Sequence, residues 1–391
     1  ALHLAEAGAA VTLLEAAEPG WGASGRNGGQ IIPGFKAERR ELVRRLGEAP
    51  GGRLFDWSGS FVDFTLELIE RHGIACQVSR PGWIQPAHSA AILRDYERRA
   101  AEWQARGVAA RILDAAESER LLGTGWYKGA YLDPRGGRLQ PLSYARGLAR
   151  AALKAGVQIH GDTLVRDVTR GPKGWRVAAE GGVVEADRVL LCTNAYSALA
   201  GGDAPWPGLA RSVVPVPSYM VATAPLGENV RRTILPEGHT AADLKRLTNH
   251  FRLESDGRLL FGGRGGLRDD GSDSGFAPVI GKLREFFPQL GAIACDYYWS
   301  GRVALTLDHV PHLHEPAPGL HAALGCNGRG VGMATAMGKV AADRLLGRPL
   351  EECPVPVSPI RPIPFHGFRL PAMQVTVWWK ALRDARERAA S

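Results

Sequence analysis

The sequence predicts an α/β protein. A discontinuous Rossmann-like, nucleotide-binding domain is interrupted by insertions that build a second, mixed domain with a largely antiparallel sheet. Three observations carry this expectation. The chain opens on an apolar helix, a glycine and a short strand that ends in an acid. A strand, a glycine-rich turn and a small-residue helix recur near the other end, at 319–347. Between them lies a β-rich stretch at 211–300.

The elements follow in order. Ala1, Leu2, Leu4 and Ala5 form the apolar stripe of a helix that Gly8 stops. The strand Val11 to Leu14 ends on Glu15, the second half of a βαβ dinucleotide site. In such sites the acid follows the glycine-rich turn by ~20 residues and bonds the ribose. Only fourteen residues precede Glu15. The turn and its strand are therefore expected upstream of Ala1, and the chain beginning at Ala1 is expected to hold a dinucleotide weakly. Residues 20–36, with six glycines, read as a structured loop. Residues 38–130 read as mainly helical, with Phe61, Phe64, Leu68 and Leu121 as core anchors. Leu142, Ala145, Leu148, Ala149 and Ala152 define a helix over 141–156 that Gly156 ends. Short strands follow (VQIH, TLVRDVT, WRVAAE, GVVEA), then RVLLCTNAYS as a buried strand running into a turn. SVVPVPSYMVATA, NHFRLE and GRLLFGG supply strands of the β-rich stretch, and a helix is expected over 278–287. The Pro-rich 351–366 reads as an extended strap, and 374–389 as an amphipathic helix.

At 391 residues the chain is long enough for two ordinary domains. Its 45% hydrophobic and 23% charged residues are those of a globular protein. No run approaches the ~20 apolar residues of a membrane span. Five widely spaced cysteines, odd in number, point to reduced thiols in a cytoplasmic setting and not to a zinc site. The net charge of +8 comes mainly from arginines scattered over helices that also carry Glu and Asp, so no nucleic-acid face is expected. Asp308, His309, His312 and His314 lack a ligand spacing, and no metal is expected.

The chemistry concentrates in two stretches. In NGRGVGMATAMGK, Gly328 and Gly330 allow close backbone approach at a helix start, where N–H groups face an anion. Ala334, Ala336 and Gly338 let that helix lie close on a sheet. WGASGRNGGQ follows the acid-ended strand directly. With these two motifs the sequence resembles the flavin-dependent amine and amino-acid oxidoreductases of the D-amino acid oxidase/glycine oxidase superfamily. The resemblance is greatest to its γ-glutamylputrescine oxidoreductase-like branch and spans nearly the whole chain.

The resemblance implies an FAD domain over 1–45, 135–210 and 300–350, and a substrate domain over 46–134 and 211–299. Residues 351–391 would add a C-terminal strap and helix. It implies Glu15 at the ribose, and Ser24, Arg26, Asn27 and Gly28 beside the pyrophosphate and flavin. Val165 would meet the adenine, and Thr193 and Asn194 the dinucleotide. Asn327, Gly328, Arg329, Gly330 and Val331 would lie against the flavin's pyrimidine edge, where donors and positive charge favour the reduced anion. The Cys and His anchors of covalent-flavin relatives are not seen at 303–306 or 24–26, which implies noncovalent FAD. Cys326 stands where this branch usually has an aromatic residue and is expected to pack.

The expected reaction is oxidation of an amine C–N bond, for example of a γ-glutamyl-polyamine, to an imine by hydride transfer to flavin N5. Oxygen or an electron carrier takes the electrons. Two alternatives stay open: a small D-amino acid, glycine or sarcosine oxidase or dehydrogenase, and a truncated, non-catalytic remnant. Tyr219, His250 and Trp299 are candidates to line the substrate cavity. The superfamily's carboxylate-binding Arg belongs to a W-x-G-x-R strand. Here Trp299-Ser300-Gly301-Arg302-Val303 brings the Arg one place early, so Arg302 is expected on the wrong face for that role. A local bulge, or Arg252 or Arg264 in its place, is the competing arrangement.

Overall fold

The structure is a computed structural model. It describes residues 1–391 except 200, 203–204, 244–247, 267–272, 372–373, 376–378 and 380–391. An eight-stranded sheet organises it, in the order Cys295–Leu305, Val214–Thr223, Leu259–Gly263, His250–Leu253, Thr240–Ala242, Trp83–Ala87, Gly129–Asp133 and Arg111–Leu113. Neighbours run antiparallel except Thr240–Ala242 against Trp83–Ala87. The side-chain period of two divides its residues between two faces. One face carries Tyr219, Val221, Phe251, Leu253, Leu259 and Phe261 and packs under the helix Asp273–Phe286, through Phe276, Val279, Leu283 and Phe286. The other carries Met220, Ala222, Leu260 and Trp299.

Two of these strands, and the start of a third, interrupt the mainly helical stretch 38–130. Helices do form at Arg39–Leu46, Glu48–Ser58, Phe61–Arg71, Ala90–Gln104 and Ala115–Leu122. Phe61, Leu68 and Leu121 are buried, and Phe64 is half-buried. Trp83–Ala87, Arg111–Leu113 and Gly129–Asp133, however, are too short to show a period, and Trp83–Ala87 joins the sheet through Thr240–Ala242. Their strand character is imposed by distant partners. The helix expected over 278–287 spans Asp273–Phe286 and holds Pro278 inside it. A proline is a natural first-turn residue, which biases a sequence reading toward a later start.

The nucleotide-type pieces lie at the expected places. Thr12–Leu14 pairs in parallel with Gln158–His160, and Val189–Leu191 with Leu320–Leu324. The two pairs are not hydrogen-bonded to each other. The helix Gly330–Leu345 presses buried Ala336, Ala341 and Ala342 inward. Its Gly332 leaves room for Phe61, whose Cβ would stand 3.0 Å from a Cβ added there. The helix Pro141–Lys154 ends two residues before its expected limit. In the strap, Val357 bridges in parallel to Leu313. The helix expected over 374–389 lies almost wholly outside the described residues.

The loop 20–36 contains a helical turn, Ala23–Arg26, and a short strand, Gln30–Ile31, against Gly137–Arg138. Gly29 has φ +64°, and a Cβ there would run into the Leu139 carbonyl and the Arg252 guanidinium. Gly29→Ala is therefore expected to destabilise the protein by about 3 kcal/mol in urea unfolding. A loss below about 0.5 kcal/mol would show that the loop can move away from the sheet at no cost.

Candidate active site

The loop 20–30 lies against the Met220 face of the large sheet, with Gly28 on the His250 ring and Gly29 on the Arg252 guanidinium. Asn27 shapes the loop from within. Its Nδ2 donates to the carbonyls of Ala23 (3.1 Å) and Ser24 (2.9 Å), and its Oδ1 accepts from the Gly29 N–H at 2.8 Å. Trp299 Nε1 donates to the Arg26 carbonyl at 2.9 Å, and Arg26 Nη1 donates to the Ser300 carbonyl at 3.2 Å. The Arg26 guanidinium also lies 4.8 Å from the Trp21 ring centroid. Gln30 Nε2 donates to Ala241 O (2.8 Å) and Phe251 O (3.3 Å). Ser24 is exposed, and Gly28 is backed directly by His250, whose Cδ2 would stand 2.9 Å from an added Cβ.

The sheet face opposite this loop is a cross-strand row. Trp299 pairs with Met220, Met220 with Gly262, and Gly262 with His250. His250 Nε2 approaches Met220 Sδ at 3.0 Å. Burial, and secondarily the Arg252 guanidinium, push the His250 imidazole down to about 4, so the ring is neutral at physiological pH. Tyr219 does not join this row. It is fully buried on the other face, edge-on to Phe276 with ring centroids 5.0 Å apart. Of the three cavity candidates, the structure brings together His250 and Trp299 and separates Tyr219 by the strand period.

Arg252 shares the His250 face, but its Nη1 and Nη2 donate to Gly29 O, Leu139 O and Glu254, while its buried Nε has no hydrogen-bond partner among the described residues. It is a strut between loop and sheet. The ladder of Cys295–Leu305 is regular from Leu305 to Tyr297, with its one register shift at Ala222/Thr223. No bulge re-aims Arg302, which therefore points away from the Trp299 face. Its guanidinium lies 5.5 Å from the Tyr196 ring centroid.

The remaining candidates lie at strand ends on the nucleotide side. Glu15 Oε1 accepts from Ala17 N–H at 3.2 Å, and Thr163 N–H donates to the Glu15 carbonyl, so Val165 starts its strand beside the acid. Thr193 Oγ1 is 2.6 Å from Ser197 Oγ. Asn194, at φ +47°, takes the Gly325 N–H on its Oδ1 at 3.0 Å, tying two strand ends together. Asn327 is buried, with Thr306 N–H donating to its Oδ1 and its Nδ2 donating to the Gly325 carbonyl. Gly328 has φ +78°, and the nearest atom to a Cβ there is Lys36 Nζ at 3.8 Å, so the turn is open on that side. Gly330 begins the helix, and Val331 packs with Ile31 and Val62. The Arg329 guanidinium turns inward, donating to Pro33 O and Gly34 O at 2.9 Å each over the Trp83 ring. Burial lowers it to about 9, still cationic at neutral pH. The sequence reading missed Gln30, Met220 and Tyr196. Gln30 offered one signal, a polar residue between a glycine pair and an apolar run.

Cys326 Sγ contacts the Ala304 carbonyl at 3.7 Å, and all five cysteines are free thiols. His312 Nε2 lies 3.0 Å from Asp308, and His314 Nδ1 lies 2.6 Å from Ser358 O. Among the described residues no three His, Cys, Asp or Glu are grouped to hold a metal. None of the described helices is long and apolar enough to cross a membrane.

An acid-ended strand, an open glycine turn at a helix start and a large mixed sheet mark the chain as an α/β protein. Residues 1–344 match the family model of the FAD dependent oxidoreductases, DAO, and the chain belongs to that family. It is 32% identical over 350 residues to a probable oxidoreductase OrdL of Haemophilus influenzae, covering 89% of this chain and 80% of that protein. It is also 32% identical over 351 residues to the γ-glutamylputrescine oxidoreductase of Escherichia coli, with the same coverage. In fold it is similar to glycine oxidase from Geobacillus kaustophilus (TM-score 0.73, 23% identity, 89% of this chain and 91% of that one). It is likewise similar to iminodiacetate oxidase from Chelativorans sp. BNC1 (TM-score 0.70, 21% identity, 92% and 95%). The protein is thus an FAD-dependent oxidoreductase acting on amines or amino acids.

The depressed His250 value has a sign. Below the ordinary value near 6.5 the unfolded state takes up a proton that the folded state refuses until about pH 4. The His250 contribution is therefore complete above pH 6.5 and lost as pH falls from 6.5 to 4, by up to about 3 kcal/mol. Urea midpoints of wild type and His250→Gln should diverge across that window, with wild type the steeper. Parallel curves would mean that the imidazole is solvated.

Proposed function

We propose that this chain oxidises the C–N bond of an amine, a γ-glutamyl-polyamine being the substrate class, and that it holds FAD noncovalently. The observation that carries the reading is the sheet face under the loop 20–30: an apolar row with a neutral histidine, and Arg302 on the opposite sheet face. A dry wall disfavours the ammonium form, and a neutral His250 adds no positive charge against it, so the reactive free amine is favoured. No residue of this face need move a proton for the C–N bond to be oxidised. The similarity to γ-glutamylputrescine oxidoreductase supports an amine on a longer chain.

The residues fit FAD by their chemistry. Glu15, at the end of its strand, suits the ribose diol, with Val165 at the adenine. Ser24, Arg26, Asn27 and Gly28 form the loop that would run beside the pyrophosphate and flavin, with Asn27 and Arg26 holding its shape, and Thr193 and Asn194 close the same side. At Asn327–Val331 the open Gly328 turn and the first N–H groups of a 16-residue helix can face the flavin's oxygen-bearing edge. Arg329 stabilises that turn from behind. When bound, FAD supplies the acceptor for the hydride that leaves the carbon next to nitrogen. In this reading 1–45, 135–210 and 300–350 hold the cofactor, and 46–134 and 211–299 the substrate.

Glu15→Ala should weaken FAD binding by about 1–3 kcal/mol in fluorescence titration, the cost of losing charge-assisted bonds to the ribose. Unchanged affinity would remove Glu15 from that role. Steady-state assays on polyamines, γ-glutamyl-amines, glycine, sarcosine and D-amino acids should give the highest kcat/KM for a γ-glutamyl-amine. A small α-amino acid preferred about tenfold over every other amine, with that preference abolished by Arg302→Leu, would refute the reading.

A further inference from the structure

We propose that Lys36 is the cation of the glycine turn Asn327–Val331 and supplies the positive charge that favours the reduced flavin there. The inference rests on the cofactor reading above, in which that turn meets the flavin's oxygen-bearing edge. The sequence puts an arginine in the turn, but the structure directs its charge elsewhere. The Arg329 guanidinium is buried and donates to Pro33 O and Gly34 O. The side chain that reaches the open side of the turn is Lys36, whose Nζ would stand 3.8 Å from a Cβ built on Gly328. Lys36 and the turn share a small cavity. Its lining includes Phe35, His309, Cys326, Asn327 and Arg329, and no carboxylate among the described residues.

Two guanidiniums hold the main chain that carries Lys36. Arg329 Nη1 takes the carbonyls of Pro33 and Gly34 at 2.9 Å each, and Arg99 Nη2 takes those of Phe35 (3.0 Å) and Lys36 (2.9 Å). Four consecutive carbonyls thus accept from two arginines. Arg99 belongs to the helix Ala90–Gln104, and its Nη1 donates to Gln85 Oε1 at 2.7 Å. Phe35 and Ala37 are buried on either side of half-buried Lys36, which pins the chain at that point. A lysine is a compact charge on a flexible stem, so fixing its main chain narrows where the charge can sit. A charge held in advance beside the place where negative charge develops needs no reorganisation when it forms. Lys36 also borders a surface hollow that holds Glu38 and Glu41, and both carboxylates are paired with arginines, Arg40 and Arg45. Lys36 acts on the flavin directly, and Arg99 is a positioning residue that acts through it.

The test uses FAD-loaded wild type, Lys36→Met, Lys36→Gln, Lys36→Arg and Arg99→Lys, each first checked for flavin content and melting temperature. The two-electron midpoint potential is measured against reference dyes, and affinity for oxidised FAD by fluorescence titration. Lys36→Met and Lys36→Gln should destabilise the reduced flavin about 10- to 100-fold relative to the oxidised, a fall of about 30–60 mV, with oxidised-FAD affinity changed less than about threefold. Lys36→Arg, which keeps the charge, should stay within about twofold of wild type. Arg99→Lys keeps its own charge but loses the fork on the Phe35 and Lys36 carbonyls, and its potential should fall between the two, a shift that a merely structural role would not produce at full flavin content. An unchanged potential in a folded Lys36→Met or Lys36→Gln overturns the proposal, and the amine reading survives it if wild type oxidises a γ-glutamyl-amine. A lowered potential in these variants, with a wild type that oxidises no amine, keeps Lys36 in its role and removes the amine reading. A wild type that retains no FAD overturns both.

Discussion

The hydrogen-bonded seam between the loop 20–30 and the large sheet is the constraint on which the rest of this structure depends. Trp299 holds the Arg26 carbonyl, Arg252 the Gly29 carbonyl, and Gln30 reaches the backbones of two strands at once. Each bond joins a side chain on one side to a main-chain group on the other, so the seam fixes backbone against backbone. The glycines follow from this closeness, because Gly28 meets the His250 ring and Gly29 the Arg252 guanidinium. A loop tied to the sheet in this way is held in place without a ligand, the arrangement that orientation in a reaction requires.

Sheet alternation is the second constraint. It gives the molecule two unlike interiors within one layer. The face under the helix Asp273–Phe286 is an aromatic core, where Phe251, Phe261, Phe286 and Phe287 meet edge to face. The face toward the loop is apolar but sparing, with Met220, Gly262 and His250 in one row. A glycine at 262 leaves space that any larger residue would take from Met220 and His250. The same period decides the fate of the arginines. Arg252 falls on the His250 face, and Arg302 does not.

Much of the fold was legible in the sequence. The helix over 141–156 and the turn and helix at 319–347 carry long, regular patterns and local stop signals, which need no distant partner. Glu15 was legible as a strand-ending acid because helix, glycine, strand and acid are contiguous. Arg329 read as a charge at the glycine turn, but its guanidinium is drawn to Pro33 O and Gly34 O, nearly 300 residues away. Trp83–Ala87 and Arg111–Leu113 are not legible as strands within the mainly helical 38–130, because runs of three to five residues are ambiguous until a sheet edge receives them.

The sequence by itself determined the nucleotide-type framework, the glycine loop and the one-place shift of Arg302, since each rests on local spacing and on a strand period of two. Only the tertiary structure decided which side chains share the sheet face under the loop. Tyr219 and His250 read alike as polar aromatics on β-rich segments. They part because register across Val214–Thr223, Leu259–Gly263 and His250–Leu253 sets Met220, and not Tyr219, beside His250. Register is a property of paired strands, and the pairing energy that selects it comes from residues far apart along the chain.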